Sequence, residues 1–223
     1  MAIAPDNSSG PHVSNPVTSQ TTPFTVGSGS NRFMYVWVLG DTAATTGISG
    51  ITYAGVAMTK LTTHRVSTDR SFDVYYLVNP ASGSNNVVIS RGVSGVIASG
   101  FVSYSGVNQS APIPTSTTST DTNSNTSYSG SITTTVDNSW AIVGIRDASG
   151  ATITAGSGLT VRVTNTSNGI HLGDSDGPIS PAGSHTFNAT WNSAVTDGAI
   201  LFELAAAGAA PAAGNAMFMG ANF

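Results

Sequence analysis

Residues 33–39 read FMYVWVL, a run in which every side chain is apolar. Successive side chains of a β-strand point to opposite faces, so a strand that is apolar at every position needs cover on both faces. The pair Gly40-Asp41 ends the run with residues that favour turns. We therefore predict a central strand over residues 33–39 that is covered on both sides.

The composition of the whole chain favours the same class of structure. The 223 residues include one lysine (Lys60), one glutamate (Glu203), no cysteine, and 60 serines and threonines. Lys and Glu normally clothe the exposed faces of helices, whereas Ser and Thr compete for backbone hydrogen bonds and suit strands, turns and loops. A chain that covers itself with hydroxyl groups is therefore predicted to be all-β.

The remaining apolar runs are short and are separated by turn residues, with about ten strands in all, a pattern typical of a sandwich or jelly roll. We predict an antiparallel β-sandwich of jelly-roll type over residues 32–204. Residues 1–31 carry four prolines among small polar residues and are expected to form an extended N-terminal arm. Residues 205–223 are expected to form an Ala/Gly-rich C-terminal arm with an apolar end.

Charge and hydropathy exclude two classes of partner. The net charge is −4, only 8% of residues are charged, and no basic cluster exists, so we expect no nucleic-acid binding. No apolar run approaches the roughly 20 residues of a membrane helix, so we expect no membrane partner. The N-terminus has neither the basic nor the apolar region of a secretory signal. Few charges and many hydroxyl groups suit a protein that must survive outside a cell, and either release by lysis, as for a virus particle, or a leader that is not shown would explain the missing signal. We therefore expect a location on a virion surface or outside a cell.

One segment resembles a catalytic motif. Residues 173–178 read GDSDGP, similar to the GDSGGP segment of chymotrypsin-like serine proteases, and His64 lies upstream. A nucleophilic serine needs a histidine base and an oxyanion hole, and Asp176 replaces a glycine of the oxyanion-hole segment. Glu203 lies in an apolar run and is expected to face outward, without the second carboxyl group that glycoside hydrolysis needs. We therefore predict no enzyme and no catalytic residue.

Two binding sites remain as hypotheses. Asp174 and Asp176 offer the hard oxygen ligands that Ca²⁺ prefers, with a surface turn as the alternative, so Ca²⁺ is the one cofactor considered. Tyr75, Tyr104 and Trp191 are candidates for an aromatic platform that stacks on sugar rings, with core packing as the alternative.

The arms carry apolar side chains that need a partner. We expect them to act as assembly anchors, docking either on their own subunit or on a neighbour. These candidate anchors are Phe24 in the N-terminal arm and Met217, Phe218, Met219 and Phe223 in the C-terminal arm.

Several turn-and-strand segments together resemble all-β jelly-roll proteins encoded by tailed bacteriophages, many of which look like virion surface components. The segments are YYLVNPASG at 75–83, VSYSGVNQ at 102–109, GDS at 173–175 and PAGS at 181–184. The resemblance implies a structural virion surface protein, a capsid decoration or appendage subunit, that assembles with copies of itself and with other virion proteins. The alternatives are a glycan-binding adhesin or carbohydrate-binding module, with surface glycans as partners, and an extracellular filament subunit.

Overall fold

The structure is a computed structural model that describes residues 1–40, 47–67, 70–147, 150–166 and 168–208. In those ranges the regular elements are thirteen strands and no helix. The strands are β1 (Ala4–Val26), β2 (Phe33–Gly40), β3 (Ile48–Tyr53), β4 (Val56–Ala57), β5 (Thr59–Ser67), β6 (Arg70–Val78), β7 (Gly83–Ser105), β8 (Ser116–Thr133), β9 (Trp140–Asp147), β10 (Ile153–Ala155), β11 (Thr160–Asn165), β12 (Ile170–Asp174) and β13 (Ser184–Leu204).

The strands form two sheets, and each half of the chain supplies one of them. Strands β1–β7 form a seven-stranded sheet and β8–β13 a six-stranded sheet. All pairings between these strands are antiparallel. The prediction of an all-β antiparallel sandwich is thus confirmed.

Two long strands bend the first sheet into two layers. The start of β7, up to Arg91, pairs with β3, whereas its end, from Ile97, pairs with β2. β1 follows β7 through both parts, with register shifts between Ser14 and Ser19. Bulges of this kind let a strand turn a corner from one layer into the next. The result is an inner layer, β5-β6-β2-β7-β1, and an outer layer, β4-β3-β7-β1, which is a jelly-roll arrangement.

The second half repeats this order of pairing. The end of β13 pairs with β9 and its start with β10, while β8 follows both parts with register shifts between Thr190 and Asp197. Its inner layer is β11-β12-β9-β13-β8 and its outer layer is β10-β13-β8. The chain therefore holds two tandem jelly rolls that share one pattern.

Three apolar cores separate the four layers. One core lies within the first jelly roll and contains Val36, Ile89 and Phe101, and another lies within the second and contains Val143, Phe187 and Leu201. The third, which we call the junction core, lies between the two inner layers. Along residues 33–39 the side chains alternate between the junction core and the first core. The predicted central strand, covered on both faces, is confirmed.

The predicted boundaries need two corrections. Residues 4–26 are not a free arm, because β1 pairs with β7 along its length. Residues 32–204 hold most of two jelly rolls rather than one sandwich, because each half encloses a core of its own. In the part of the chain that the structure describes, no helix is long and apolar enough to span a membrane.

Candidate functional site

A buried carboxylate, Asp174, ties the two jelly rolls together. Tyr104 of β7, in the first jelly roll, donates its hydroxyl hydrogen to Asp174 Oδ2 over 2.7 Å. Arg162 of β11 donates from Nε to Oδ2 at 2.8 Å and from Nη2 to Oδ1 at 2.9 Å. Asp174 and Tyr104 are both fully buried. A guanidinium that donates two hydrogen bonds, together with a phenol that donates a third, binds a carboxylate strongly and directionally. Such binding suits a carboxylate that is shielded from solvent.

Burial fixes the protonation of this network. Loss of solvent raises the pKa of Tyr104 well above its ordinary value, and the nearby Tyr35 and Asp174 raise it further. The hydrogen bonds from Arg162 to Asp174 raise the pKa of the guanidinium, which therefore stays charged. Tyr104 thus remains a hydrogen-bond donor across the physiological pH range.

The predicted Ca²⁺ ligands have other partners. Asp174 accepts hydrogen bonds from Tyr104, Arg162 and the backbone N–H of Asp176, the last at 3.0 Å. The Asp176 carboxylate is exposed and pairs with Arg162 Nη2. A guanidinium therefore already pairs with both groups, with Asp174 buried at the end of β12 and Asp176 exposed in the turn after it. In the described ranges no group of three or more His, Cys, Asp or Glu side chains is placed to hold a metal ion.

The protease-like segment is also a turn. Ser175 Oγ donates to the carbonyl of Gly177 at 2.8 Å and accepts from the N–H of Ala141 at 3.2 Å, so it shapes the loop after β12. His64 lies on β5 in the other jelly roll, where its ring packs edge-on against Phe72. Burial lowers the pKa of His64. The structure does not bring His64 and Ser175 together as a nucleophile and its base.

A second polar chain joins three strands of the second jelly roll. His171 of β12 lies between Asp147 of β9, with Nε2 and Oδ2 3.0 Å apart, and Thr164 of β11, with Nδ1 and Oγ1 2.8 Å apart. A hydroxyl, an imidazole and a carboxylate in series have the composition of a nucleophilic triad. Asp147 Oδ1 also accepts the N–H groups of Gly150 and Ala151, so the carboxylate links the end of β9 to residues 150 and 151.

Glu203 is a buried anchor for a loop. It is fully buried, and its two carboxylate oxygens accept the N–H groups of Thr135 and Val136 and the hydroxyl of Thr135 over 2.8–3.0 Å. The expectation that Glu203 faces outward was wrong, because the loop between β8 and β9 supplies the donors that a buried carboxylate requires. Sequence reasoning also missed Arg162, His171 and Asp147, which carry no spacing motif.

The predicted glycan platform does not form. Tyr75, Tyr104 and Trp191 are only 6%, 0% and 5% exposed, and they belong to three different cores. Tyr75 packs in the first core, where burial and the nearby Asp73 raise its pKa to about 12. The alternative of core packing is correct for all three, because each lies on a strand covered by another layer.

The predicted anchors divide into two groups. Phe24 is 2% exposed and packs edge-on against Phe101 in the first core, so it serves its own jelly roll rather than a neighbour. Met217, Phe218, Met219 and Phe223 lie outside the described residues.

A cavity lies where the two ends of the described chain meet. Its volume is about 300 Å³, and most of its lining is apolar: Met1, Ile3, Trp140, Pro178, Ala206 and Gly208. The Met1 amino group donates to the carbonyl of Ala207 at 2.8 Å, and Val107 and Ala206 form an antiparallel bridge nearby. The described chain therefore ends at Gly208 on the rim of an apolar cavity.

Comparisons with known proteins give a weak likeness to solved structures. No family model matches the chain. No curated protein matches it either. A solved structure, the major capsid protein P2 from bacteriophage PM2, aligns over 92% of this chain and 97% of its own, with 7% identity and a TM-score of 0.32. So low a TM-score supports no argument about this chain.

Proposed function

We propose that this chain is a structural protein of a virion, a capsid decoration or appendage subunit that assembles with copies of itself and with other virion proteins. The observation that carries the proposal is the pair of tandem jelly rolls fused through a junction core. Jelly rolls are common in viral capsids and lectins. Because a fold alone does not fix a function, the use of the side chains must decide between such roles.

The polar side chains support a structural role. Asp174, Asp147 and Glu203 are fully buried, and each receives hydrogen bonds from at least two groups of the protein itself. Carboxylates that perform chemistry need access to a substrate, whereas these connect strands and hold loops. The aromatic side chains that were candidates for sugar binding are likewise buried in the cores. This pattern favours a rigid building block over a lectin or an enzyme.

The C-terminal segment is the proposed assembly arm. The nine steps from Gly208 to Met217 span about 30 Å when the chain is extended, enough to reach a neighbouring subunit. The Ala/Gly/Pro composition of residues 205–216 suits a linker. Burial of one Phe or Met side chain stabilises by roughly 1.5–3 kcal/mol. We propose that these apolar side chains anchor the subunit to a neighbour by packing into that neighbour's copy of the apolar cavity described above. The side chains are Met217, Phe218, Met219 and Phe223.

Truncation tests the arm. A variant that ends at Gly208 should lose higher assemblies that the intact chain forms, as measured by light scattering and by electron microscopy of concentrated protein. A matched variant in which those four side chains are replaced by serine keeps the length of the arm, and it should behave like the truncation. An intact assembly in both variants would overturn the role of the arm.

A further inference from the structure

The two sheets have six edge strands in the described part of the chain, and five of them carry a feature that hinders pairing with another chain. β4 and β10 are only two and three residues long. β5 carries Lys60 and Arg65, and β11 carries Arg162. β1 carries four prolines, at positions 5, 11, 16 and 23. Short length, positive charge and proline are the usual means by which edges avoid unwanted pairing.

β8 is the exception. It is 18 residues long, contains no proline, lysine or arginine, and has Asp121 as its one charged residue. It pairs with β13 on one side. A long edge with so little charge and no proline is a template on which another strand can pair.

The contrast with β1 is sharp because the two strands occupy equivalent positions. Pro23 lies opposite Asn86 of β7, and Ser131 lies opposite Thr186 of β13. Asn86 and Thr186 are equivalent, because each lies two residues after the serine that ends the PASGS segment at 80–84 or the PAGS segment at 181–184. The residue in β8 that corresponds to the last proline of β1 is therefore Ser131. Pro23 therefore prevents backbone pairing at this position on the edge of the first jelly roll, whereas Ser131 permits it on the second.

Hydrogen bonding on β13 identifies which backbone groups of β8 face outward. Asn188 uses its N–H and its C=O for Ser157 and Gly156, on the side away from β8, at 3.0 and 2.8 Å. In an antiparallel ladder the N–H and C=O of one residue point to the same side of its strand. When they point away from the opposite residue, the N–H and C=O of that opposite residue also point away, toward the other side of the pair. Ser129, opposite Asn188, therefore directs both groups outward. By the alternation of the strand, Ser127, Ser131 and Thr133 do the same.

The side chains keep this edge straight and accessible. Tyr128 and Ile132 are buried in the second core, which fixes the strand from its inner face. Ser127, Ser129, Ser131 and Thr133 are exposed, small and uncharged. Residues 127–133 pair with β13 without a register shift. Their backbone is thus presented as a regular ladder.

We propose that residues 127–133 of β8 form an edge on which β8 of a second copy pairs, antiparallel, about a twofold axis. This inference rests on the proposed function, since it names the contact through which copies assemble. An uncharged edge is complementary to itself, because no like charges meet across the axis, and twofold contacts between identical chains are the commonest kind. The proline-bearing edge of β1 cannot pair in the same way, since Pro23 has no N–H to donate.

The test introduces into β8 the proline that β1 carries at the equivalent position. Ser131→Pro should weaken the contact between copies at least tenfold, as measured by sedimentation over a range of concentrations. Ser131→Ala is the matched control: it loses the 2.8 Å contact with the Thr186 hydroxyl but keeps the backbone N–H, and it should associate like the parent. Ser131→Pro with an unchanged melting temperature and unchanged association would overturn the proposal.

A second variant and a second measurement guard against a folding defect. Ser129→Lys leaves the backbone intact and brings like charges together across the twofold axis, so it should weaken association as well. Hydrogen exchange of residues 127–133 should slow as the protein concentration rises, in the intact chain and equally in the chain that ends at Gly208. Protection that disappears on truncation would make the C-terminal arm the occupant and overturn β8-to-β8 pairing.

The outcomes separate the two proposals. If truncation at Gly208 abolishes assembly and Ser131→Pro does not, the virion role stands and the edge contact is wrong. If the intact chain does not associate at all, both the proposed assembly and the edge contact are wrong.

Discussion

The two jelly rolls share one order of strand pairing but are filled by different side chains. Trp37 on β2 and Gly144 on β9 occupy equivalent places, because each is the fifth residue of its strand and pairs near the end of the last strand of its half, at Gly100 and Ile200. Across the junction, Trp37 lies directly over Gly144, and a Cβ atom added there would be 2.2 Å from its Nε1. The halves are thus alike in backbone and complementary in volume.

The same large-to-small relation occurs once more at the junction. A Cβ atom on Gly100 would lie 2.9 Å from Cδ1 of Leu172, so a leucine of the second half fills the space above a glycine of the first. Interiors pack at crystal-like density, and facing layers interdigitate only when large side chains meet small ones. The two halves therefore have complementary side-chain volumes at the junction, and neither half could take the place of the other.

Polar anchoring separates the halves further. In the second half three of the buried carboxylates, Asp174, Asp147 and Glu203, connect strands and loops. Among the described residues of the first half the buried carboxylate is Asp73, which pairs with Lys60 at 3.1 Å between Nζ and Oδ2 and accepts the Thr63 hydroxyl at 2.6 Å. The junction is asymmetric as well, because the first half gives it a phenol and the second half the ion pair that receives it.

The largest loss in the free energy of unfolding should come from removing the charge of Asp174 at the junction. Asp174→Asn leaves Arg162 without its main partner, and breaking a buried pair costs about 3–5 kcal/mol. Because the Arg162 side chain is 20% exposed and still has Asp176, we expect a loss of about 3 kcal/mol in the free energy of unfolding. Denaturant titration measures it.

Asp176→Asn is the matched control for that prediction. The Asp176 side chain is 56% exposed, and exposed pairs contribute about 0–1 kcal/mol. Equal losses in the two variants would show that burial at the junction is not the source of the effect.

A smaller effect should follow from making the halves more alike in volume. Gly144→Ala places a methyl group against the Trp37 ring, and overpacking of this kind costs about 1–3 kcal/mol. Trp37→Phe in the same chain should recover part of that loss, so the two substitutions should not add. Gly177→Ala, where no atom lies within 4 Å of the added methyl, should change stability by about 0.5 kcal/mol or less. Strict additivity at positions 37 and 144 would contradict the packing across the junction.

The most gradual effect should appear at alkaline pH. Burial raises the pKa of Tyr35, Tyr104 and Tyr128 above the ordinary value of 10.0. A group whose pKa is higher in the folded state than in the unfolded state contributes full stability below the unfolded value and loses it as the pH rises further. The melting temperature should therefore fall progressively above pH 10.

Tyr104→Phe gives the control for the alkaline transition. The variant should start from a lower stability, because Asp174 loses the Tyr104 hydrogen bond. Its melting temperature should then fall less steeply above pH 10 than that of the parent. An identical pH dependence in both proteins would contradict the contribution of the junction phenol.

The sequence predicted the strand class well because that prediction depends on local properties. Residues 33–39 are apolar at every position, and the structure buries both faces of this strand. The repeated order of pairing was missed, although the segments PASGS at 80–84 and PAGS at 181–184 lie at the start of the last strand in each half. Two short motifs about one domain length apart are a weak signal when the strands around them have diverged in volume and charge.

Site residues were harder to predict because their partners come from distant parts of the chain. Glu203 looks exposed in its own run of sequence, and only the loop at Thr135 and Val136 explains its burial. Asp174 looked like a metal ligand because neither Arg162 nor Tyr104 is near it in any recognisable pattern. The proline content of residues 1–31 suggested an arm, whereas proline is tolerated on an edge strand such as β1.

Self-assembly underlies both proposals, and sedimentation of the intact chain over a wide range of concentrations measures it. We predict a defined assembly well above the 22.5 kDa of one chain, which dissociates on dilution. A protein that remains a 22.5 kDa monomer at every concentration would contradict the account.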